Sequence, residues 1–308
     1  MTLTTEQLAE RRMGLGASDA AAAVGLSPWR TPYQLWREKL GEAEDAPDDD
    51  EEPLRFAMGK ALEPVALEHF TRKTKLQVSD QQRKFIDPKW PRRWVSVDAL
   101  SSDGGLVEAK STGFASPAEW GDEFEDAAIP QHYLMQVMHG LACSELTHCW
   151  VPLIVSNRQF KLYRVKRDED LIQLLTEREK AFWAMVEARE PPAPVSLEDV
   201  KLRWPAGRPG SKILATEDIA HAVTEHAMAK RVVKEAEARV KEWELLIKQA
   251  MGEVSELVDV SAQPLVSWKT NKPSMKFDVA LFADDHPNLY GQYLREKSGA
   301  RVFLNKLK

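Results

Sequence analysis

The stretch Trp94-Val-Ser-Val-Asp-Ala-Leu-Ser-Ser-Asp-Gly-Gly-Leu-Val-Glu-Ala-Lys110 decides the fold of this chain. Residues 94–98 and 106–110 are short runs rich in β-branched residues, which is typical of strands. Residues 101–105 between them supply the serine, aspartate and glycines that tight turns use. The stretch therefore predicts a β-hairpin whose side chains alternate between two faces.

Three charged side chains should meet on one face of this hairpin. Glu108 and Lys110 are two residues apart on a strand, so they point the same way, and Asp98 lies across the pair. Two converging carboxylates repel each other unless a divalent cation lies between them, and oxygen ligands suit Mg²⁺ or Mn²⁺ better than zinc. A lysine beside that cation can orient water or neutralise charge on phosphorus, as phosphodiester hydrolysis requires. The alternative is an ordinary solvated hairpin face.

A second candidate site lies near the N-terminus. Ser18 precedes Asp19 and four alanines, a pattern that predicts a serine-capped helix, and Gly16 allows close backbone approach. A helix N-terminus attracts phosphate, and Arg11 or Arg12 would add a bidentate guanidinium. The alternative is a capped helix with exposed arginines, and Asp19 at the first helical position would compete with an anion.

Four motifs, in order, resemble those of the YqaJ-type phage recombination nucleases, a group that includes the lambda exonuclease. They are residues 11–20 (RRMGLGASDA) leading into 24–36, residues 59–63 (GKALE), the acid–acid–lysine pattern of the hairpin, and residues 133–137 (YLMQV). Together they cover roughly residues 11–190. The resemblance implies an α/β restriction-endonuclease-like core, in which a mixed central sheet has helices on both sides.

The resemblance also implies a two-metal catalytic site that uses Mg²⁺, with Mn²⁺ as a substitute. Its metal ligands would be the side chains of Asp98, Glu108 and Glu63 and the backbone carbonyl of Ala109. Lys110 would be the catalytic lysine. Gln136 would place Lys110 or the scissile phosphate.

The same resemblance places a pocket for the 5′-terminal phosphate of the digested strand. Arg11 and Ser18 match the positions that hold this phosphate, and Arg12 is an alternative because it is adjacent. Tyr133 joins this DNA-contacting set. The chain departs from the family at Gln7, where a tryptophan is usual.

Length and composition agree with a cytoplasmic enzyme. At 308 residues and 43% apolar, the chain can bury at least one large core. It has no uninterrupted apolar run of membrane-spanning length and no apolar leader at its start, so we expect neither export nor a membrane span. Cys143 and Cys149 have no second pair, which predicts reduced, buried thiols and excludes a four-cysteine metal cluster.

The net charge of −6 is concentrated in one segment. Residues 42–52 hold eight acids and no base, so the rest of the chain is slightly positive. Such a run of like charge should form a solvated, mobile loop. A gate that repels misplaced DNA is the functional alternative.

Periodicity divides the chain into a core at 1–194 and an extension at 195–308. The core should contain a helix carrying Glu63, with Pro64 in its first turn, a helix at 130–143, strands at 148–155 and 159–165, and a helix at 168–189. The extension should contain a long helix, 217–251, and a short basic tail with a β segment. This helix carries a heptad pattern and would pack on the core, pair between subunits or present a surface to a partner; we expect packing on the core.

The function predicted from these features is a Mg²⁺-dependent double-strand DNA exonuclease that degrades one strand from a 5′-phosphorylated end and leaves a 3′ overhang. The polarity rests on the resemblance, which also implies a ring-shaped homotrimer acting on double-stranded DNA ends with a single-strand annealing protein. Two alternatives stay open. One is a structure-selective endonuclease of the same fold, and the other is a non-catalytic DNA-binding scaffold.

Overall fold

Two compact units make up the chain, Met1–Arg203 and Trp204–Lys308. The computed structural model describes residues 5–42, 51–113, 120–122, 129–156, 158–296 and 299–307, with the backbone alone at 5–8 and 51–56. No helix in these ranges is long and apolar enough to cross a membrane.

Helices and short strands alternate through the first unit. Its helices are α1 (Thr5–Arg12), α2 (Ala20–Ala23), α3 (Pro32–Lys39), α4 (Glu51–Thr74), α5 (Gln131–Ser144), α6 (Glu169–Ala188) and α7 (Leu197–Arg203). Its strands are β1 (Leu15–Gly16), β2 (Val78–Ser79), β3 (Lys84–Ile86), β4 (Arg93–Ser96), β5 (Ala99–Ser101), β6 (Leu106–Val107), β7 (Lys110–Thr112), β8 (His148–Val155) and β9 (Gln159–Lys166). A 3₁₀ turn over Ala17–Asp19 joins β1 to α2.

The larger sheet is mixed, as predicted, and β8 runs through its middle. Both β6 and β7 pair with β8 in parallel, with Leu106 opposite Cys149 and Lys110 opposite Leu153. They are therefore two halves of one interrupted strand. On the other side of β8 lies antiparallel β9, and beyond β6 the sheet continues through antiparallel β5 and β2.

Helices cover both faces of this sheet because successive side chains of its strands point to opposite sides. Leu106 packs in the cluster that contains Leu141 of α5, whereas its neighbour Val107 packs with Leu67 and Phe70 of α4. The predicted α/β core with a mixed sheet between helices is confirmed. The interrupted strand is thereby held between two layers of helix.

A smaller three-stranded sheet places the N-terminal segment beside the core. In it β4 pairs with β1 in parallel and with β3 in antiparallel orientation. A Cβ added to Gly14 would lie 2.3 Å from the carbonyl oxygen of Arg92, which accepts the N–H of Leu15 at 2.7 Å. Glycine is required where β1 enters this sheet.

The predicted hairpin forms with shorter strands than expected. Ala99 pairs with Val107 and Leu100 with Leu106, so the first hairpin strand is β5. A strand forms at 93–96, but the expectation that 94–98 pairs with 106–110 was wrong. The chain leaves β4 after Ser96, where it belongs to the smaller sheet. The turn keeps its predicted chemistry, with Gly104 in the left-handed region at φ 83°.

The helix that carries Glu63 is longer than predicted. Helix α4 begins at Glu51, so Pro64 lies in its interior and the expectation that Pro64 marks its first turn was wrong. An interior proline clashes with the carbonyl four residues earlier, here that of Lys60. Both Pro64 and Lys60 are exposed, so this proline lies on the solvent side of α4. Of the predicted acidic loop, residues 43–50 lie outside the described residues.

The second unit is built on one long helix, α8 (Glu217–Met251), which has the predicted bounds. The hydroxyl of Thr216 accepts the N–H of Ile219, and Gly252 ends the helix. After it come β10 (Glu256–Val258) and β11 (Pro264–Ser267), which form an antiparallel pair, and then α9 (Val279–Asp285) and α10 (Pro287–Tyr293). Packing of α8 on the core stays a prediction.

Candidate active site

The break between β6 and β7 falls at Glu108 and Ala109 and creates the candidate active site. The N–H of Glu108 still donates to the carbonyl of Trp150 on β8, at 2.9 Å. The N–H of Ala109 instead donates to Oδ2 of Asp98, at 2.8 Å. A backbone donor has therefore turned out of the strand pairing to hold the Asp98 carboxylate beside Glu108.

Two side chains converge on one oxygen of Glu108. Nζ of Lys110 and Nε2 of Gln136 each donate to Oε1 of Glu108 at 2.6 Å. The Lys110 ammonium also lies 5.1 Å from the ring centroid of Tyr133, a cation–π contact. The structure thus brings together Asp98, Glu108, Lys110, Gln136 and Tyr133, which the sequence placed on a hairpin and a separate helix.

Helix α5 carries Tyr133 and Gln136. A buried ion pair holds this helix in place. His139, one turn beyond Gln136, bonds Oε1 of Glu179 at 2.7 Å and the carbonyl of Trp94 at 3.0 Å. Burial lowers the pKa of His139, but the charge of Glu179 together with the hydrogen bonds to Cys143 and Glu179 outweighs this effect and raises the pKa to about 10. The imidazolium ties α5 to both α6 and β4.

The charges of this site are unbalanced toward the negative. Burial, and after it the charges of Glu108 and Glu63, raise the pKa of Asp98 well above its usual range, against the opposing charge of Lys110. The carboxylates in turn outweigh the effect of burial on Lys110 and raise the pKa of its ammonium. A second cation beside Asp98 would relieve this repulsion.

Glu63 lies on α4, close enough for its charge to act on Asp98. Its Oε1 accepts a hydrogen bond from Nε2 of Gln82 at 3.1 Å. Within the described residues, no three His, Cys, Asp or Glu side chains form a ready metal-holding group. The oxygens at hand are those of Asp98, Glu108 and Glu63, and carboxylate oxygens are what Mg²⁺ prefers. The chemical type of these ligands, carboxylate oxygen, therefore fits magnesium.

The predicted phosphate-binding pair also comes together. Nη2 of Arg11 lies 3.5 Å from Oγ of Ser18, so a guanidinium and a hydroxyl face the same point. The guanidinium of Arg12 instead lies against Gly41: a Cβ built on Gly41 would be 3.2 Å from the guanidinium carbon. Of the two arginines, Arg11 is the one beside Ser18.

The predicted helix cap at Ser18 was wrong. Ser18 lies in the middle of the 3₁₀ turn, and α2 begins two residues later with no side-chain cap. With only four residues, α2 offers no helix terminus for an anion. The reason is Asp19, whose Oδ2 accepts the N–H of Gly16 and so fixes a tight turn instead of a helical start.

A buried ion cluster behind this pocket escaped prediction. Asp19 bonds Nζ of Lys39 through Oδ2 and Nη2 of Arg30 through Oδ1, both at 2.6 Å. Burial raises the pKa of Asp19, but Lys39 and Arg30 outweigh it and lower the pKa from 3.8 to about 2. Lys39 also donates to the carbonyl of Arg11 at 2.7 Å. The cluster therefore fixes the backbone of Arg11.

Two carboxylates and a lysine at a break in the central sheet of an α/β unit are typical of a nuclease domain. Residues 6–147 match the family model described as the YqaJ-like viral recombinase domain. This match confirms the resemblance predicted from the four motifs.

Similarity to known proteins extends beyond this domain. An uncharacterized protein, YqaJ of Bacillus subtilis (strain 168), is 25% identical over 299 residues, which are 94% of this chain and 91% of that protein. An alkaline exonuclease from Laribacter hongkongensis, 22% identical, covers 65% of this chain and 97% of its own with a TM-score of 0.48. A phage-related exonuclease from Haemophilus somnus 129PT, 10% identical, covers 57% and 94% with a TM-score of 0.41.

Proposed function

We propose that this protein is a Mg²⁺-dependent exonuclease that degrades one strand of duplex DNA from a 5′-phosphorylated end and leaves a 3′ single-stranded overhang. The observation that carries the proposal is the convergence of Lys110 and Gln136 on Glu108, next to Asp98. The family supports a role in phage-type recombination.

The residues of the site divide the work of phosphodiester hydrolysis. Asp98, Glu108 and Glu63, with the Ala109 carbonyl, would hold Mg²⁺. When bound, Mg²⁺ would lower the pKa of the attacking water and neutralise charge on the phosphate oxygens. The ammonium of Lys110, held in place by Glu108, would stabilise the negative charge that grows on the phosphate.

Cleavage from an end, rather than within a strand, is supported by the Arg11–Ser18 pair. A guanidinium and a hydroxyl are donors that suit a terminal phosphate. Ala17 and Ala20 flank this turn and pack in the same cluster as Val137 of α5, so the pair is fixed to the helix that carries Gln136. An end held there places the scissile bond in the catalytic cluster. An endonuclease of the same fold would not need this pair.

Digestion of end-labelled DNA tests the proposal. A linear duplex labelled at either its 5′ or its 3′ end is incubated with Mg²⁺, beside a closed circular plasmid and a Lys110→Ala control. Mononucleotides from the 5′-phosphorylated end, intact circles and an inactive control are expected. Cut circles would establish an endonuclease, and no cleavage with any divalent metal would leave a DNA-binding scaffold.

Assembly and partner complete the proposal. The family resemblance supports a homotrimeric ring around the DNA and a single-strand annealing protein that receives the overhang. Analytical ultracentrifugation of the full chain should give a mass of three protomers. A monomer at working concentration would remove the ring from the proposal.

A further inference from the structure

An exposed tryptophan lies beside the catalytic cluster. Trp29 exposes 56% of its surface. Its own N–H and that of Arg30 both donate to Oγ of Ser27, at 3.3 Å. The loop that presents the indole is thus held by a turn rather than left to move.

The indole is joined to the catalytic lysine through two rings. The ring centroid of Trp29 lies 4.7 Å from that of His132, edge to face, and 6.0 Å from that of Tyr133. The ring of Tyr133 in turn contacts the ammonium of Lys110 at 5.1 Å. Trp29 therefore contacts Tyr133, whose ring contacts the ammonium of Lys110.

On its other side the same loop is joined to the phosphate pocket. Arg30, next in the chain, bonds Oδ1 of Asp19 at 2.6 Å. Asp19 directly follows Ser18, which lies beside Arg11. The backbone at Trp29 is thus linked to the Arg11–Ser18 pair, while its side chain contacts Tyr133, which contacts Lys110.

We propose that the indole of Trp29 stacks on the base of the 5′-terminal nucleotide and so positions that nucleotide for cleavage. The inference rests on the proposed function, because the loop of Trp29 is joined to the Arg11–Ser18 pair on one side and, through Tyr133, to Lys110 on the other. Every base has a π face, so a stacking platform accepts any sequence. A ring already held against His132 and Tyr133 loses little freedom when a base binds.

Removing either the indole or the base tests the stack. Wild type, Trp29→Ala and Trp29→Phe are compared on duplexes whose 5′-terminal nucleotide is either natural or abasic. We expect Trp29→Ala to raise KM on the natural end about tenfold, equivalent to about 1.4 kcal/mol. Trp29→Phe should keep KM close to the wild-type value. On the abasic end wild type and Trp29→Ala should be equal, because the two changes remove one interaction.

Leu26→Ala is the matched control, since Leu26 is exposed on the same loop. It should keep the discrimination between natural and abasic ends. Equal losses for Trp29→Ala on both ends would overturn the stack, as would equal cleavage of the two ends by wild type.

A binding measurement separates this inference from the proposed function. A duplex with 2-aminopurine as its 5′-terminal base is bound to Lys110→Ala protein, which should not cleave it. Quenching of the 2-aminopurine fluorescence that disappears in Lys110→Ala/Trp29→Ala supports stacking even if the wild-type protein proves not to be an exonuclease. Quenching that is the same in both proteins overturns it.

Discussion

Two buried acids of the same unit have opposite surroundings. Asp19 receives Lys39, Arg30 and the N–H of Gly16. Asp98 receives the single N–H of Ala109 and faces other carboxylates. Accordingly the pKa of Asp19 is lowered and that of Asp98 is raised.

The difference separates a structural acid, Asp19, from Asp98, the acid of the proposed catalytic site. The charge of Asp19 is neutralised within the protein, so its cluster is complete without a ligand and acts as a fixed support for Arg11. The charge of Asp98 is opposed by too few cations, so its cluster is complete only when another cation binds. Enzymes keep such unbalanced groups where chemistry occurs.

The largest effect should come from the unbalanced cluster. Lys110→Ala removes the ammonium beside the reacting phosphate, and we expect the single-turnover rate of DNA digestion to fall by roughly a hundredfold or more. Lys180→Ala, a change of an exposed lysine on α6, is the matched control and should digest DNA at the wild-type rate. A similar loss in both variants would mean that general positive charge, not the site, was measured.

Asparagine substitution should distinguish the two acids in stability. Asp19→Asn leaves the buried ammonium of Lys39 without its anion, whereas Arg30 keeps Glu38, and the loss should cost about 3 kcal/mol of unfolding free energy. Asp98→Asn removes a charge that the metal-free fold disfavours, so the free energy should stay within about 0.5 kcal/mol of the parent or rise. Urea denaturation in EDTA measures both. A loss of equal size in the two variants would contradict the comparison.

The two acids should also differ in their response to pH. The folded-state pKa of Asp19, about 2, lies below its unfolded value of 3.8. Its contribution, about 2 kcal/mol, is therefore present above about pH 4 and is lost as the pH falls toward 2. Urea midpoints at pH 5, 4 and 3 should fall less steeply for Asp19→Asn than for the parent protein. Parallel slopes would show that Asp19 does not titrate as its surroundings require.

The contrast also explains how far the sequence could predict this molecule. The Glu108–Lys110 contact was predicted from the two-residue period of a strand, and it forms although the strand is interrupted at Glu108 and Ala109. The bounds of α8 were predicted from its periodicity and its caps. These are local properties. The sequence also predicted the charged residues around Asp98, because Glu108, Lys110 and Glu63 all lie in recognisable motifs.

The Asp19 cluster could not be predicted because its partners have no local spacing. Arg30 comes from a loop and Lys39 from α3, and only tertiary packing brings their charges to one buried carboxylate. Ser18 was interpreted as a helix cap for the same reason, since Asp19 was expected at the first helical position, where it would compete with an anion. A lysine near the end of an amphipathic helix is ordinarily exposed, and nothing in the pattern marks Lys39 as buried.

The smallest predicted effect concerns the support that the balanced cluster gives to Arg11. Arg11→Ala removes the guanidinium beside Ser18, and we expect the preference for 5′-phosphate over 5′-hydroxyl ends to fall about tenfold, as loss of one charge-assisted contact implies. Arg12→Ala is the matched control, because Arg12 lies against Gly41. Competition between the two kinds of end in one digestion measures the ratio directly. Equal effects of the two arginines would show that the pocket is only a region of positive charge. A lower preference for 5′-phosphate ends in Arg11→Ala alone would show that the position of Arg11 beside Ser18 selects these ends.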